Sequence, residues 1–384
     1  MHIKGKYNLI LVILLSLTVL LNLCGFSRTF CNFYTDHIYG VINAIVGRCT
    51  SIFPFALGEI IMYLGAVALI LLAVFLLLLP FLFRRRRFTS FLKKYSKGIL
   101  MTLVIFLFVY TTNWFVPFRA DVYQVKGTQR KSFTNEEVFN VYSLIVNRIN
   151  ELAEQVPRDA DGRLIFDDSY EKIIRVMQDD SEMFPRLAGY YNKPKKALCS
   201  MFLDWMGIGG YNYIYTMEPT YNEFVTPLYF PTLIAHEYAH HKGYYKENEA
   251  EFISCIALAD GDNPFLQYSA YLEMYDYIVG AYYDCVIDSL GPDFQLSMET
   301  VDLFEAVCDQ YPTLSKQVIN DVNYAYEIAE EKYEENVNPQ LEEAFQETSA
   351  EIAETGWEIQ GEVLKENSYS GLTLMLLQYY TQQN

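Results

Sequence analysis

The sequence predicts a mainly α-helical (α+β) chain. Three N-terminal transmembrane helices precede a large helical domain that carries a small β-hairpin or sheet. Three observations predict it. Apolar runs of bilayer-crossing length fill the first 120 residues. The roughly 264 residues that follow read mostly as helices and leave room for one large domain or two modest ones. Two short strand-like runs, 211–216 and 222–225, break that helical pattern.

The apolar runs are residues 8–24, 60–83 and 99–118. Crossing the hydrocarbon core takes about 20 apolar residues, which the second and third runs meet easily. The first suits either a retained span or a signal sequence. Between the second and third runs, a loop at 84–97 carries Arg84, Arg85, Arg86, Arg87, Lys93, Lys94 and Lys97 and no acid. Short loops rich in Lys and Arg stay in the cytoplasm, and Lys4 and Lys6 place the N-terminus on the same side. The runs therefore go outward, inward and outward. The expected organisation is a membrane anchor over 1–120 and an extracytoplasmic domain over 121–384. Cys31 and Cys49 fall in the external connection, where the compartment permits either a disulfide or two thiols. The total of seven cysteines is odd, so at least one thiol stays free or pairs with another chain.

Charge divides the chain at the same place. Residues 1–120 hold 12 Lys and Arg against 2 Asp and Glu, whereas the remainder holds 17 against 45, for a net charge of −18. An acidic domain argues against nucleic-acid binding, which needs a basic face.

Within the domain, Thr134 and Glu137 are spaced as a capping box and open a helix whose apolar residues run from Val138 to Leu152. Residues 157–162 read as a loop, and a further helix is expected near 168–178. Gly207-Ile208-Gly209-Gly210 breaks the chain before the two strand-like runs, and Pro219 suggests the turn between them. After residue 260 the pattern is again helical. Residues 322–364, rich in Glu, Ala and Gln and including Trp357, read as amphipathic helices over the core.

Three of the five histidines lie in Ile234-Ala235-His236-Glu237-Tyr238-Ala239-His240-His241. His-Glu-x-x-His on a helix sets two imidazoles four residues apart on one face, each able to reach a zinc ion at about 2.0–2.1 Å. Glu237 beside them is placed to take a proton from a zinc-bound water. Pro231 suits the first turn, and Gly243 the C-terminal stop. A third ligand is expected from the next helix, which offers Glu247, Glu249 and Glu251. Glu249 shares a face with Phe252, Ile253 and Ile256, where a carboxylate is costly unless it is paired or binds a metal. The expected metal ligands are therefore His236, His240 and Glu249, with Glu237 catalytic. The alternative for the three glutamates is a solvated acidic turn at a helix N-terminus. His241, about 100° around the helix from His240, is expected behind the ligands or at the surface. Imidazole and carboxylate would also accept manganese or iron.

The run His-Glu-x-x-His, Gly243, then Glu-x-Glu-Ala resembles the gluzincin metallopeptidases, in which two histidines and a glutamate hold zinc. More closely, the chain resembles an uncharacterised bacterial family of membrane-anchored, zincin-like proteins. The shared features are Ile52-Phe53-Pro54-Phe55-Ala56-Leu57-Gly58, Tyr213-Ile214-Tyr215-Thr216, Tyr268-Ser269-Ala270-Tyr271-Leu272, Leu364-Lys365-Glu366 and Tyr369-Ser370-Gly371. The resemblance covers most of the chain. It implies a zincin-like fold, the zinc triad and an extended substrate along a sheet edge, and it names no substrate. The strand-like runs before the motif are candidates for that edge, or are an ordinary structural hairpin. The sequence departs at Glu251, where gluzincins of the Glu-Ala-Asp type carry Asp. Whether Glu251 supports a ligand as that Asp does is left open.

The resulting expectation is a membrane-anchored zinc endopeptidase that cuts peptide or protein substrates outside the cytoplasm. Its oxyanion donor is unassigned among 32 tyrosines, with Tyr215 and Tyr271 as candidates. The alternative is a non-enzymatic zincin-like envelope sensor or scaffold, for which Glu237 would be superfluous. A transporter is disfavoured because the spans carry almost no charge. Glu223, Lys242, Lys246 and Glu247 around the motif are too polar for a lipid-exposed span, so the site is not expected inside the bilayer.

Overall fold

Three helices long and apolar enough to cross a membrane occur at Gly5–Cys24, Leu57–Leu82 and Arg86–Phe118. They belong to a computed structural model that describes residues 2–125, 130, 132–337 and 368–383. The first span is α1 (His2–Cys24). It leads to α2 (Arg28–Tyr34), a π turn at Thr35–Tyr39, and α3 (Gly40–Thr50). The second is α4 (Leu57–Leu82). The third is α5 (Arg86–Tyr110), which runs through a π turn at Thr111–Phe115 into α6 (Val116–Phe118). The basic stretch 84–97 is thus not a loop. Only Phe83–Arg85 separates α4 from α5, and Arg86–Lys97 is helical. Lys and Arg are good helix formers, and nothing in 84–97 is Gly or Pro to stop them.

Side-chain contacts fix how the spans run. Tyr7 donates to the Lys97 carbonyl at 2.8 Å, and Asn22 donates to Thr111 Oγ1 at 3.0 Å, so α1 and α5 are parallel. Tyr95 donates to the Ala68 carbonyl at 2.7 Å, and the Phe75 ring meets Phe91 and Tyr95 at 5.4 Å, so α4 is antiparallel to both. The arginines at 84–87 therefore sit at one end of the bundle, and α2, α3 and α6 at the other.

At that other end, the expected boundary at residue 120 is not a seam in the packing. Cys31, Tyr34 and Tyr39 share a buried cluster with Val116, Ala120, Met217 and Tyr245. Tyr39 and Asn43 both donate to the His241 carbonyl, and Thr50 donates to the Thr216 carbonyl at 2.9 Å. Cys31 is buried and Cys49 exposed, and all seven cysteines are free thiols.

The rest of the chain forms α7 (Asn135–Ala153), α8 (Tyr170–Asp179), β1 (Lys195–Lys196), α9 (Ser200–Trp205), β2 (Gly210–Tyr213) and β3 (Glu218–Tyr221). Then follow α10 (Phe230–His241), α11 (Glu247–Asp260), α12 (Pro264–Leu290), α13 (Val301–Cys308), α14 (Lys316–Asn336) and α15 (Ser368–Gln383). The capping box at Thr134 and Glu137 opens α7. α7 lies along α12, where the Tyr142 and Tyr282 rings stack at 3.8 Å. Of the helices expected over 322–364, α14 accounts for residues to Asn336. Residues 338–367, including Trp357 and Leu364-Lys365-Glu366, lie outside the described residues.

The sheet has the order β1-β3-β2, with β1 parallel and β2 antiparallel to β3. Pro219 lies within β3, opposite Asn212, and not in the turn. The turn is residues 214–217, closed by Met217 at φ 54°. Two buried carboxylates join this sheet to the second span. Glu218 accepts from the Leu57 and Gly58 amides at 3.2 and 2.7 Å, capping the N-terminus of α4. It also pairs with Lys195, whose ammonium donates to the Thr50 carbonyl. In return Glu59, on α4, accepts from the Leu198 and Cys199 amides at 2.7 and 2.9 Å, just ahead of α9. Pairing of this kind offsets the cost of burying a carboxylate.

Candidate functional site

α10 supplies two imidazoles. Pro231 sits in its first turn, where a missing N–H costs nothing. His236 and His240 project from one face, with ring centroids 4.5 Å apart. Gly243, at φ 89°, takes the left-handed conformation that ends the helix. That turn brings the Tyr244 carbonyl to 2.8 Å from His240 Nδ1. The carboxylate of Glu251, on α11, lies 2.5 Å from His236 Nδ1. With both Nδ1 atoms engaged, each ring keeps Nε2 as its free donor atom. The two Nε2 atoms converge on Glu247 Oε2, at 3.2 and 3.4 Å.

Glu247, not Glu249, completes the cluster. One ligand atom each from His236, His240 and Glu247 all lie within 4.8 Å of one another. Ligands about 2.0–2.2 Å from a tetrahedral ion sit about 3.3–3.5 Å apart, so the two contacts to Glu247 match the edges of such a site. Glu249 is buried as its apolar-face position demands, but its Oε1 accepts from the Tyr123 amide at 2.5 Å. The apolar face of α11 packs into the core, and the flank carrying Glu247 and Glu251 meets α10. A backbone amide, not an ion, satisfies the buried carboxylate. Glu251, four residues on from Glu247, reaches the same helix and engages His236 Nδ1.

Charge within the cluster is strongly biased. Burial pushes the Glu237 carboxyl up to about 7, against the opposing pull of His240 and His236. Burial alone would lower His236, but Glu251 and Glu247 outweigh it and raise it well above the usual range. Burial likewise works against ionised Glu247, yet His240 and His236 hold it far below the carboxylate range. These shifts describe imidazoles paired with an ionised Glu247, beside a Glu237 carboxyl that burial pushes toward its neutral form. Among the described residues Glu237 Oε2 is buried without a hydrogen-bond partner, and Gly210 leaves the carboxyl room, since a Cβ there would lie 2.9 Å from Oε1.

The cluster opens into a cavity of about 1090 Å³. Edge strand β2 lines one side of it, and α11 and α12 the other. Of the two candidate oxyanion donors, Tyr215 lines the cavity. Tyr271 does not, and packs against the helical core. His241 is fully buried behind the cluster, accepting from the Asn192 amide at 3.4 Å. Two acids that the motif did not reveal also line the cavity: Glu273, which accepts from Thr232, and Asp276, which accepts from Tyr229. Burial, reinforced by Glu251 and Asp276, raises the Glu273 carboxyl well above its usual range. Both lie on α12, more than thirty residues beyond the motif, and no local pattern marks them.

The model of the family described as Protein of unknown function (DUF3810) matches residues 34–348. No curated protein and no solved structure matches the chain.

Proposed function

We propose that this chain, which belongs to the family Protein of unknown function (DUF3810), is a membrane-anchored zinc endopeptidase acting outside the cytoplasm. One observation carries the reading: the His236 and His240 Nε2 atoms lie 3.2 and 3.4 Å from one Glu247 oxygen, with the Glu237 carboxyl on the same helix turn. His236, His240 and Glu247 would hold the ion. When bound there, zinc acidifies a water molecule and polarises a carbonyl.

The chain's own groups supply the rest. Glu251 and the Tyr244 carbonyl hold the imidazoles by Nδ1, fixing their tautomer and direction. Glu237 is poised near neutrality, so its carboxyl can accept a proton and pass it to a leaving amine. β2 is an edge strand against α10, and its backbone can pair with an extended peptide of any sequence. Sidedness follows from the basic turn: Arg84–Arg87 stay cytoplasmic, which puts the opposite end of the spans, and the cluster, outside.

The test is metal content by elemental mass spectrometry, on the full chain in detergent because residues 28–59 are part of the fold. About one zinc per chain is expected, retained in Glu237→Gln while peptide hydrolysis is lost. Folded wild-type protein without metal would sink the peptidase reading and favour a scaffold.

A further inference from the structure

The cavity belongs to two membrane helices as well as to the cluster. Met62 and Tyr63, near the outer end of α4, line it together with Trp114 of the third span. Phe202, Leu203 and Met206, in and just after α9, give it a half-exposed apolar floor. Met62 is 52% exposed, so one residue faces both the cavity and the lipid-facing flank of α4.

The β2–β3 turn ties the substrate strand to the third span. Asn113 donates to the Ile214 carbonyl at 2.7 Å. The Tyr215 ring packs on Phe106 at 4.9 Å, and Tyr213 donates to Met62 Sδ at 3.6 Å. Phe106 lies seven residues below Asn113, about 10 Å along a helix. Its neighbours Leu103, Ile105 and Leu107 are exposed apolar residues, 43–48% accessible, as lipid-facing positions are. The tip of the hairpin that flanks the cluster therefore lies at bilayer depth. Tyr110 and Trp114 mark the headgroup level, where such rings concentrate. A peptide laid along β2 has to enter that layer.

We propose that the substrate is the juxtamembrane segment of a membrane-anchored polypeptide, drawn from the bilayer across the apolar floor onto β2. This rests on the peptidase reading and adds its substrate class. A polypeptide already held in the bilayer arrives at the right height, with its apolar residues facing Phe202 and Leu203. A freely soluble peptide must first partition into the interface.

The experiment uses the full chain, loaded with zinc, in phosphatidylcholine–phosphatidylglycerol vesicles. Three synthetic libraries share a randomised segment of about ten residues. In one it directly adjoins a polyleucine transmembrane helix. In the second, a proline-rich spacer of about twenty residues lifts it roughly 60 Å away. The third has no helix. Both anchored libraries are held on the vesicle at the same surface density, so recruitment to the membrane alone cannot separate them. Mass spectrometry reads the cut sites. Cleavage of the adjoining library should be faster than that of the lifted one by about tenfold or more. Phe202→Glu should shrink that ratio. Equal cleavage of adjoining and lifted segments, or of anchored and free ones, overturns the proposal and leaves the peptidase standing. No cleavage of any library by the zinc-loaded protein removes the peptidase reading and this inference with it.

Discussion

Two faces of α11 carry carboxylates in opposite circumstances. Glu247 is about half exposed and faces two imidazoles with nothing else to bind. Glu249, about 200° around the helix, is buried and already holds the Tyr123 amide. The more deeply buried acid is held by a backbone amide, and the more open acid faces the imidazoles. Burial measures how badly a carboxylate needs a partner, not which partner it has. Coordination needs a lone pair aimed at a gap between other donors, and only the flank toward α10 offers one.

The sharpest break in this comparison is Glu247→Ala. Zinc content by elemental mass spectrometry should fall from about one per chain to near zero. Glu251→Ala comes next: with His236 Nδ1 released, zinc affinity measured against a chromophoric chelator should drop about 10–100-fold. On the opposite face, Glu249→Ala should leave zinc content intact. It removes the acceptor of a buried amide, so thermal unfolding should report a loss of about 1–3 kcal/mol. Zinc lost with Glu249 and kept without Glu247 would reverse the comparison outright. Gly243→Ala forces a side chain into φ 89° and against Thr35 Cγ2 at 3.0 Å. It should cost about 1–2 kcal/mol and weaken zinc binding modestly, because the Tyr244 carbonyl moves off His240. The smallest effect is expected from Glu249→Gln, whose amide oxygen still accepts from Tyr123. Stability should stay within about 0.5 kcal/mol and zinc content unchanged.

How much of this was legible depends on the reach of each signal. Within one helix, spacing fixes geometry, so the shared face of His236 and His240, the stop at Gly243 and the capping box at Thr134 could all be read directly. The second and third apolar spans were equally plain, whereas the first read as either a span or a signal sequence. Choosing among Glu247, Glu249 and Glu251 needed the direction in which α11 meets α10, which periodicity does not contain. Periodicity did identify the buried face, but that face turns to the core. Pro219 signalled a turn locally, yet the strand tolerates it and Met217 makes the bend instead. Glu273 and Asp276 reach the cavity only through the crossing of α12, and the contribution of residues 28–59 to the domain only through tertiary contact.

Glu218 and Glu59, each capping the start of the other's neighbouring helix, also set an order of assembly. The apolar span at 57–82 can enter a bilayer as soon as it is synthesised, long before residues 195–221 exist. Until those residues reach the same side of the membrane, the first amides of α4 have no carboxylate and Glu59 has no amides. The start of the second span is thus capped by residues that are synthesised long after it. A chain stopped near residue 120 would lack the partners that Leu57, Gly58 and Glu59 find in residues 198, 199 and 218. Anchor and domain mature together, and neither is a cassette that can be moved without the other.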